Sequence, residues 1–381
     1  MTLRTSKEAQ SPGEFEGFKY NRALRASAND PELNPLTTAL PQFIRDVEQL
    51  ESLLSEPSAQ TIRAMKELDG DIVVLGVGGK MGPTLARMAK RASELAGVRR
   101  RVVGVARFSS AHLEQRLQSW GVETIRCNLL DRSALAELPD AANVFFMAGM
   151  KFGSTGQEPM TWAMNSYLPG MVSERYRASR IVAFSTGNIY GLCPVTEKGS
   201  REDSQPNPVG EYAMSCLGRE RMFAHFSQTN QTKMAILRLN YATEMRYGVL
   251  VDIAQKVFSG TSLPLSMGYL NAIWQGDANN FALQTLEHVS SPPFVINIAG
   301  AEVLSVRSVA EAFSARFERP VRFDGTESSD ALLSDARKAF GLFGEPGVSE
   351  AQMVDWIADW VARGGETLAK PTHFENREGR F

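Results

Sequence analysis

The spacing of hydrophobic positions changes several times along the chain, and those changes divide it. Residues 1–35 mix Pro, Asn, Ser and Glu with no period and read as a loose arm. From Pro41 to about Leu68 the period is helical. Phe43, Val47, Leu50 and Leu54 recur on one face, and after a Pro-Ser break Ile62, Met65 and Leu68 do so again. Two amphipathic helices packed on a larger body are expected there. Then come short, wholly apolar, β-branched runs: DIVVLGV (71–77), RVVGVA (101–106), ETIRC (123–127), NVFFMA (143–148), RIVAFS (180–185) and MAILRL (234–239). Such runs suit strands buried on both faces. Segments of helical period lie between them, including PTLARMAKRASELAG and the stretch beginning GEYAMSCLGRE. Strands alternating with helices give βαβ units and a doubly wound parallel sheet. Past about Asn240 the rhythm loosens, with more Gly and Pro, although one further strand, PFVINIAG, precedes a helix, SVRSVAEAFSARF.

The first of these strands runs into LGVGGKMGPTLARMAKRA, which places Gly76, Gly79 and Gly82 between a strand and a helix. A tight turn, a close backbone and helix N-terminal N–H groups together receive a pyrophosphate. In this context the glycine pattern predicts a Rossmann-type dinucleotide site. The expected fold is α/β, a Rossmann-type doubly wound parallel sheet with a smaller C-terminal α/β substrate lobe and an N-terminal helical extension. The expected divisions are 1–69 for the arm and helices, 70–240 for the NAD(P)-binding domain, and 241–381 for the lobe and tail. The second strand ends GVARFS, with no acid to bind a ribose 2′-hydroxyl. Arg107 stands there instead and suits a 2′-phosphate, so NADP is the expected cofactor and NAD the alternative.

Composition narrows the classes. Hydrophobic residues make up 43% and charged residues 22% of 381, ordinary values for a globular chain. A formal charge of −2 gives no reason to expect nucleic acid or an anionic membrane as partner. Three cysteines and four histidines are too scattered for a disulfide framework or a metal site, so none is expected. No apolar run approaches the ~20 residues of a membrane span. The N-terminus has no apolar core of a secretory signal, so a cytoplasmic protein is expected.

Several separate stretches then resemble the extended short-chain dehydrogenase/reductase family, the NAD-dependent epimerase/dehydratase group, over about 71–365. GVGGKMG is similar to its GxxGxxG. MAGMKFG looks like the segment after strand four in UDP-galactose epimerases, where Lys151 matches a ribose-binding lysine. Asn165 in WAMNSYLPG falls at the active-site asparagine, and FSTGNIYG is similar to SSxxVYG with Thr186 at the catalytic hydroxyl. The resemblance implies a general acid/base at Tyr212. It also implies cofactor contacts at Gly76, Gly79, Lys80, Met81, Gly82, Arg107, Asn128, Ala148, Gly149, Lys151, Ser185 and Tyr212. A small-molecule substrate follows from it, and relatives that pair through a helix bundle make a homodimer the expected assembly.

One departure bears on the chemistry. The family lysine four residues after the tyrosine lowers its pKa through a nearby positive charge, and here that position is Cys216. Three readings stand. Another cation, from Lys151, Lys80 or Arg219, replaces the lysine; or the protein is a non-catalytic dinucleotide-binding sensor or scaffold; or Cys216 does different chemistry through a depressed thiol pKa. A second departure concerns the substrate. DGTESSDALL contains three acids and no base where sugar-nucleotide epimerases clamp a diphosphate. A free sugar, a sugar acid or another small hydroxy or keto compound is favoured over a nucleotide sugar. Asn240 comes one residue earlier than the family's substrate-contacting asparagine. Trp274 and Asp277 read as architecture, and Met267 and Leu270 as packing.

Overall fold

In the computed structural model, residues 40–380 are described, apart from 110 and 152; the N-terminal arm lies outside the described residues. Seven strands form the central sheet: β1 Ile72–Leu75, β2 Val102–Ala106, β3 Glu123–Arg126, β4 Asn143–Phe146, β5 Arg180–Thr186, β6 Met234–Leu239 and β7 Phe294–Ile298. Their spatial order is β7-β6-β5-β4-β1-β2-β3, and every pairing is parallel. The order reverses between β1 and β4, where open α/β sheets bind ligands at the strands' carboxyl ends. β1, β2 and β4 are buried at every position, as their unbroken apolar runs require.

One strand departs from the expected division. PFVINIAG, assigned above to the substrate lobe, supplies β7 of the main sheet, with Phe294 to Ile298 in register with Ala235 to Leu239. The chain leaves the sheet after β6, builds a portion of the lobe, and returns. The boundary at 240 therefore does not separate one body from another; the described residues belong to one compact unit. The lobe's own core gathers around the helices Val249–Ser259, Val306–Phe317 and Glu350–Ala362.

Helices at Val47–Leu54 and Ala59–Glu67 confirm the early periodicity. Asp46 and Ser58 cap them by accepting from the N–H groups of Gln49 and Thr61. Leu50 and Leu54 join the lobe core, whereas Ile62, Met65 and Leu68 join the sheet core. The pair thus fastens one to the other. Phe43, placed on the same face by spacing, precedes the helix and is 49% exposed.

The long helix Gly210–Asn230 is held on the sheet by buried charge. Glu220 pairs with Arg238 of β6 at 2.8 Å, and both are nearly inaccessible. Arg238 also donates to the Tyr190 hydroxyl at 2.7 Å, and that hydroxyl donates to Asn297 of β7 at 2.8 Å. Removing one partner strands the other charge in the interior. Glu220→Gln is expected to lower unfolding free energy by about 3 kcal/mol, read from urea denaturation. A midpoint within error of the parent's would mean that solvent reaches the pair.

Candidate functional site

The glycine loop shows why each glycine is there. Gly76 has φ +86°, and a Cβ on it would lie 2.6 Å from the Ala148 backbone nitrogen. A Cβ on Gly82 would lie 2.4 Å from Val77 O, so this glycine lets the helix close on the strand. Gly79 differs: an added Cβ would meet only Gly76 O, at 3.5 Å. Its side is left open for a ligand to approach. The helix that follows, Gly82–Leu95, starts without a side-chain cap, carries Pro83 in its first turn and has no acid there. Its terminal N–H groups and partial positive charge therefore face the loop. These features fit the pyrophosphate of a dinucleotide.

Around the loop the expected cofactor residues separate. Arg107 is exposed just past β2, and Asn128 just past β3, where its side chain also accepts from Leu130 N–H at 3.4 Å. Met81 and Ala148 pack into the cores on either side of the sheet. Lys80 lays its amine over the Tyr247 ring, 3.1 Å from the centroid. Burial chiefly, then Lys151 and Lys370, push its pKa down to about 6. Ser185 alternates with Thr186 along β5 and hydrogen-bonds Glu220 at 2.5 Å. Its hydroxyl is thus committed to the buried ion-pair network, a structural duty that the family pattern does not reveal.

Thr186 and Tyr212 come close enough for the threonine hydroxyl to lower the pKa of the phenol. Asn188 donates to the same Thr186 oxygen from both N–H and amide, at 3.2 and 2.9 Å. Lys151 Nζ lies 5.7 Å from the Tyr212 ring centroid. Burial holds the Lys151 pKa down to about 8, against the pull of Cys216 and Asp252. Asn165 lies in a π-helical segment, Ala163–Tyr167, of the sort that often marks functional sites. Fully buried, it accepts from Met150 N–H at 2.9 Å and donates to Met150 O at 2.9 Å and Ser215 Oγ at 3.0 Å.

Cys216 is buried against Ile189 and Tyr190. Burial pushes its thiol pKa up, whereas chemistry through the thiol requires a depressed one. Arg219 lies one turn further along the helix. It is buried, donates to Phe184 O and to Asn165 Oδ1, both at 2.7 Å, and draws down the pKa of Tyr212. Gly149 makes room for it, since a Cβ there would lie 2.4 Å from Arg219 Nη2. Burial and Cys216 still leave the tyrosine well above its ordinary pKa.

Asn240 lies between sheet and lobe, donating to Asn271 Oδ1 at 3.0 Å and Leu332 O at 3.3 Å. Trp274 packs edge-on against Trp356, and Asp277, its pKa raised by burial to about 6, accepts from Val348 N–H at 3.0 Å. Both are architectural, as expected, and Met267 and Leu270 are buried in the lobe core.

Comparison with known proteins agrees with this geometry. Residues 72–242 match the NAD dependent epimerase/dehydratase family. That segment belongs to the family. The resemblance read from the sequence is thereby borne out, and it places the chain among enzymes of the oxidoreductase and epimerase type. UDP-glucuronic acid 4-epimerase from Bacillus cereus, solved with UDP-glucuronic acid and NAD, is 18% identical, with a TM-score of 0.63. The match covers 77% of this chain and 99% of that one. UDP-glucose 4-epimerase from Thermus thermophilus, complexed with NAD, gives the same identity, coverage and TM-score. A dTDP-glucose 4,6-dehydratase from Bacillus anthracis str. Ames is 14% identical, covers 77% of this chain and 97% of its own, and has a TM-score of 0.64. These likenesses establish the fold. No curated protein matches. Among the described residues no helix is long and apolar enough to cross a membrane.

The two loop glycines separate fold from binding. Gly76→Ala is expected to destabilise the chain by about 2 kcal/mol or more, because the position combines positive φ with a backbone clash. Gly79→Ala should leave urea stability unchanged and weaken NADP⁺ binding at least tenfold in a calorimetric titration. Full affinity in Gly79→Ala would mean that the loop does not cradle the nucleotide.

Proposed function

We propose that the chain is an NADP-dependent oxidoreductase or epimerase acting at a hydroxyl or carbonyl centre of a small sugar-like substrate. The observation that carries this is the contact between Thr186 and Tyr212 beside buried Arg219, at the carboxyl ends of the strands. A bound oxidised nicotinamide supplies a hydride acceptor and a further positive charge. Tyr212 moves the proton at its phenol oxygen, and Thr186 orients the substrate oxygen. Arg219 supplies the charge that the family lysine would have supplied, so Cys216 does not by itself imply loss of chemistry. A non-catalytic binder has no need of the tyrosine, the threonine and a replacement cation together.

Two further observations support the finer details. Exposed Arg107, with no acid at the end of β2, suits a 2′-phosphate. In the lobe, Glu327 is held by Arg307 at 2.7 Å and Asp330 by Arg377. These guanidinium groups pair with two of the three acids of the stretch and are engaged in doing so, which leaves it poorly suited to clamp a diphosphate. A free sugar or sugar acid fits better, with UDP-glucose and UDP-glucuronic acid as comparators.

Tyr212→Phe is expected to abolish turnover of a sugar or sugar acid while NADP⁺ affinity stays within about twofold; unchanged turnover would sink the assignment. Arg219→Met removes a charge that favours phenolate, so the rise of turnover with pH should move to higher pH, and Arg219→Lys should restore it. An unmoved profile in Arg219→Met would make Arg219 a packing residue. Arg107→Ala should bring NADP⁺ affinity down to that for NAD⁺. If the parent binds NAD⁺ more tightly, Arg107 has no role in nucleotide choice.

A further inference from the structure

Beyond its last helix the chain turns back over the lobe and reaches the tyrosine. Trp360 Nε1 donates to Glu366 O at 2.9 Å, and Leu368 N–H to Arg246 O at 3.0 Å. Thr372 binds Asp252 Oδ2 through its N–H at 2.7 Å and its hydroxyl at 2.5 Å. Phe374 is buried in the lobe core, and Glu375 pairs with Lys256 at 3.3 Å. The segment ends against the start of the tyrosine helix. A Cβ on Gly210 would lie 2.4 Å from Gly379 O, and one on Gly379 would lie 2.1 Å from Val209 O. Residues 366–379 therefore form a strap, anchored on the lobe at one end and two residues short of Tyr212 at the other.

Lys370 sits midway between the anchors at Leu368 and Thr372, which fix the strap along Arg246 to Asp252. Within that stretch is Tyr247, the ring beneath the Lys80 amine. Lys370, exposed on the strap, and Lys151 both act on Lys80 by charge repulsion. Two acids also lie within electrostatic range. Asp252 receives the two Thr372 bonds, and Glu244 is buried and bound to Arg246 at 3.1 Å. Positive charge on an exposed strap that passes Tyr247 and the partly buried Lys80 favours an anion there.

We propose that the strap completes the substrate site and that Lys370, with Lys80, binds the carboxylate or phosphate of an anionic small substrate. This rests on the sugar-like substrate read above and adds its charge.

The test is calorimetric titration of the NADP⁺-saturated protein with D-glucuronate, D-glucose 6-phosphate and neutral D-glucose, in the parent and in Lys370→Met. An anion should bind at least tenfold more tightly than glucose, and the better of the two identifies carboxylate or phosphate. Lys370→Met should weaken that binding about tenfold with NADP⁺ affinity unchanged, and Lys370→Arg should recover it. Enthalpies in two buffers of different ionisation enthalpy at pH 7.5 should differ, because an anion returns a proton to Lys80. Equal affinity for glucose, no binding of either anion, or an undiminished affinity in Lys370→Met overturns the proposal. A failure of NADP⁺ to bind counts instead against the proposed function, and the anion arms are then read on the protein without nucleotide.

Discussion

The ion pair between Glu220 and Arg238 determines where the tyrosine helix lies on the sheet. Its two charges are out of water, so each needs the other and a full set of hydrogen bonds. Ser185, Tyr190 and the Glu202 carbonyl complete that set, and through the Tyr190 hydroxyl the network reaches Asn297 of β7. One turn before Glu220 along the same helix lies Cys216, and another turn back lies Tyr212. The position of the phenol relative to Thr186 is thus inherited from a charge pair about two turns away. A neutral core would hold the helix with less definition of its rotation.

With the helix fixed, the loss of the family lysine becomes a problem in electrostatics. Cys216 adds nothing positive, and burial works against the phenolate. The proposed compensation is Arg219, which lowers the Tyr212 pKa and whose guanidinium is shared between Phe184 O and Asn165 Oδ1. That sharing explains the detail of its neighbours. Asn165 is buried and spends both ends of its amide on the Met150 backbone, Ser215 and the arginine. Gly149 is small because Arg219 needs the space. Arginine keeps its proton under conditions where a buried lysine would lose it; the lowered pKa values of Lys80 and Lys151 show how strongly burial presses on an amine in this region.

The sheet was legible in the sequence because strands buried on both faces must be largely apolar, as five of the six early runs are; the sixth, ETIRC, forms the edge strand β3 and is exposed at Glu123 and Arg126. The glycine loop was legible for a related reason: contacts at Gly76 and Gly82 leave no room for a Cβ. β7 was recognised as a strand and assigned to the wrong body. Apolarity reports burial but not partner, and Phe294 to Ile298 pair with residues some sixty positions earlier. The bond of Ser185 to Glu220 was not legible, because the family motif reports a type of residue whereas alternation along β5 decides which face it uses. Arg219 was visible as a candidate cation; its bonds to Asn165 and Phe184 were not, since they join three separate segments. The strap carried no signal at all. A segment without regular structure has no period, and its meaning lies wholly in where Arg246, Asp252 and Gly210 receive it.

These long-range fastenings share a logic. A cleft between sheet and lobe needs elements that touch both, and each such element here lies outside the alternating βα core. The helix Val47–Leu54 brings Glu51 to Arg116 on the sheet side at 2.7 Å and to Arg246 on the lobe side at 3.1 Å. Arg246 then offers its carbonyl to the strap at Leu368. A single arginine therefore ties the N-terminal extension to the segment that passes Lys80. The cost of burying Glu51 and Glu244 beside it is offset only while both stay paired with arginine. The placement of the strap, and with it of Lys370, is coupled through Arg246 to a helix that a comparison confined to the family's shared core would omit.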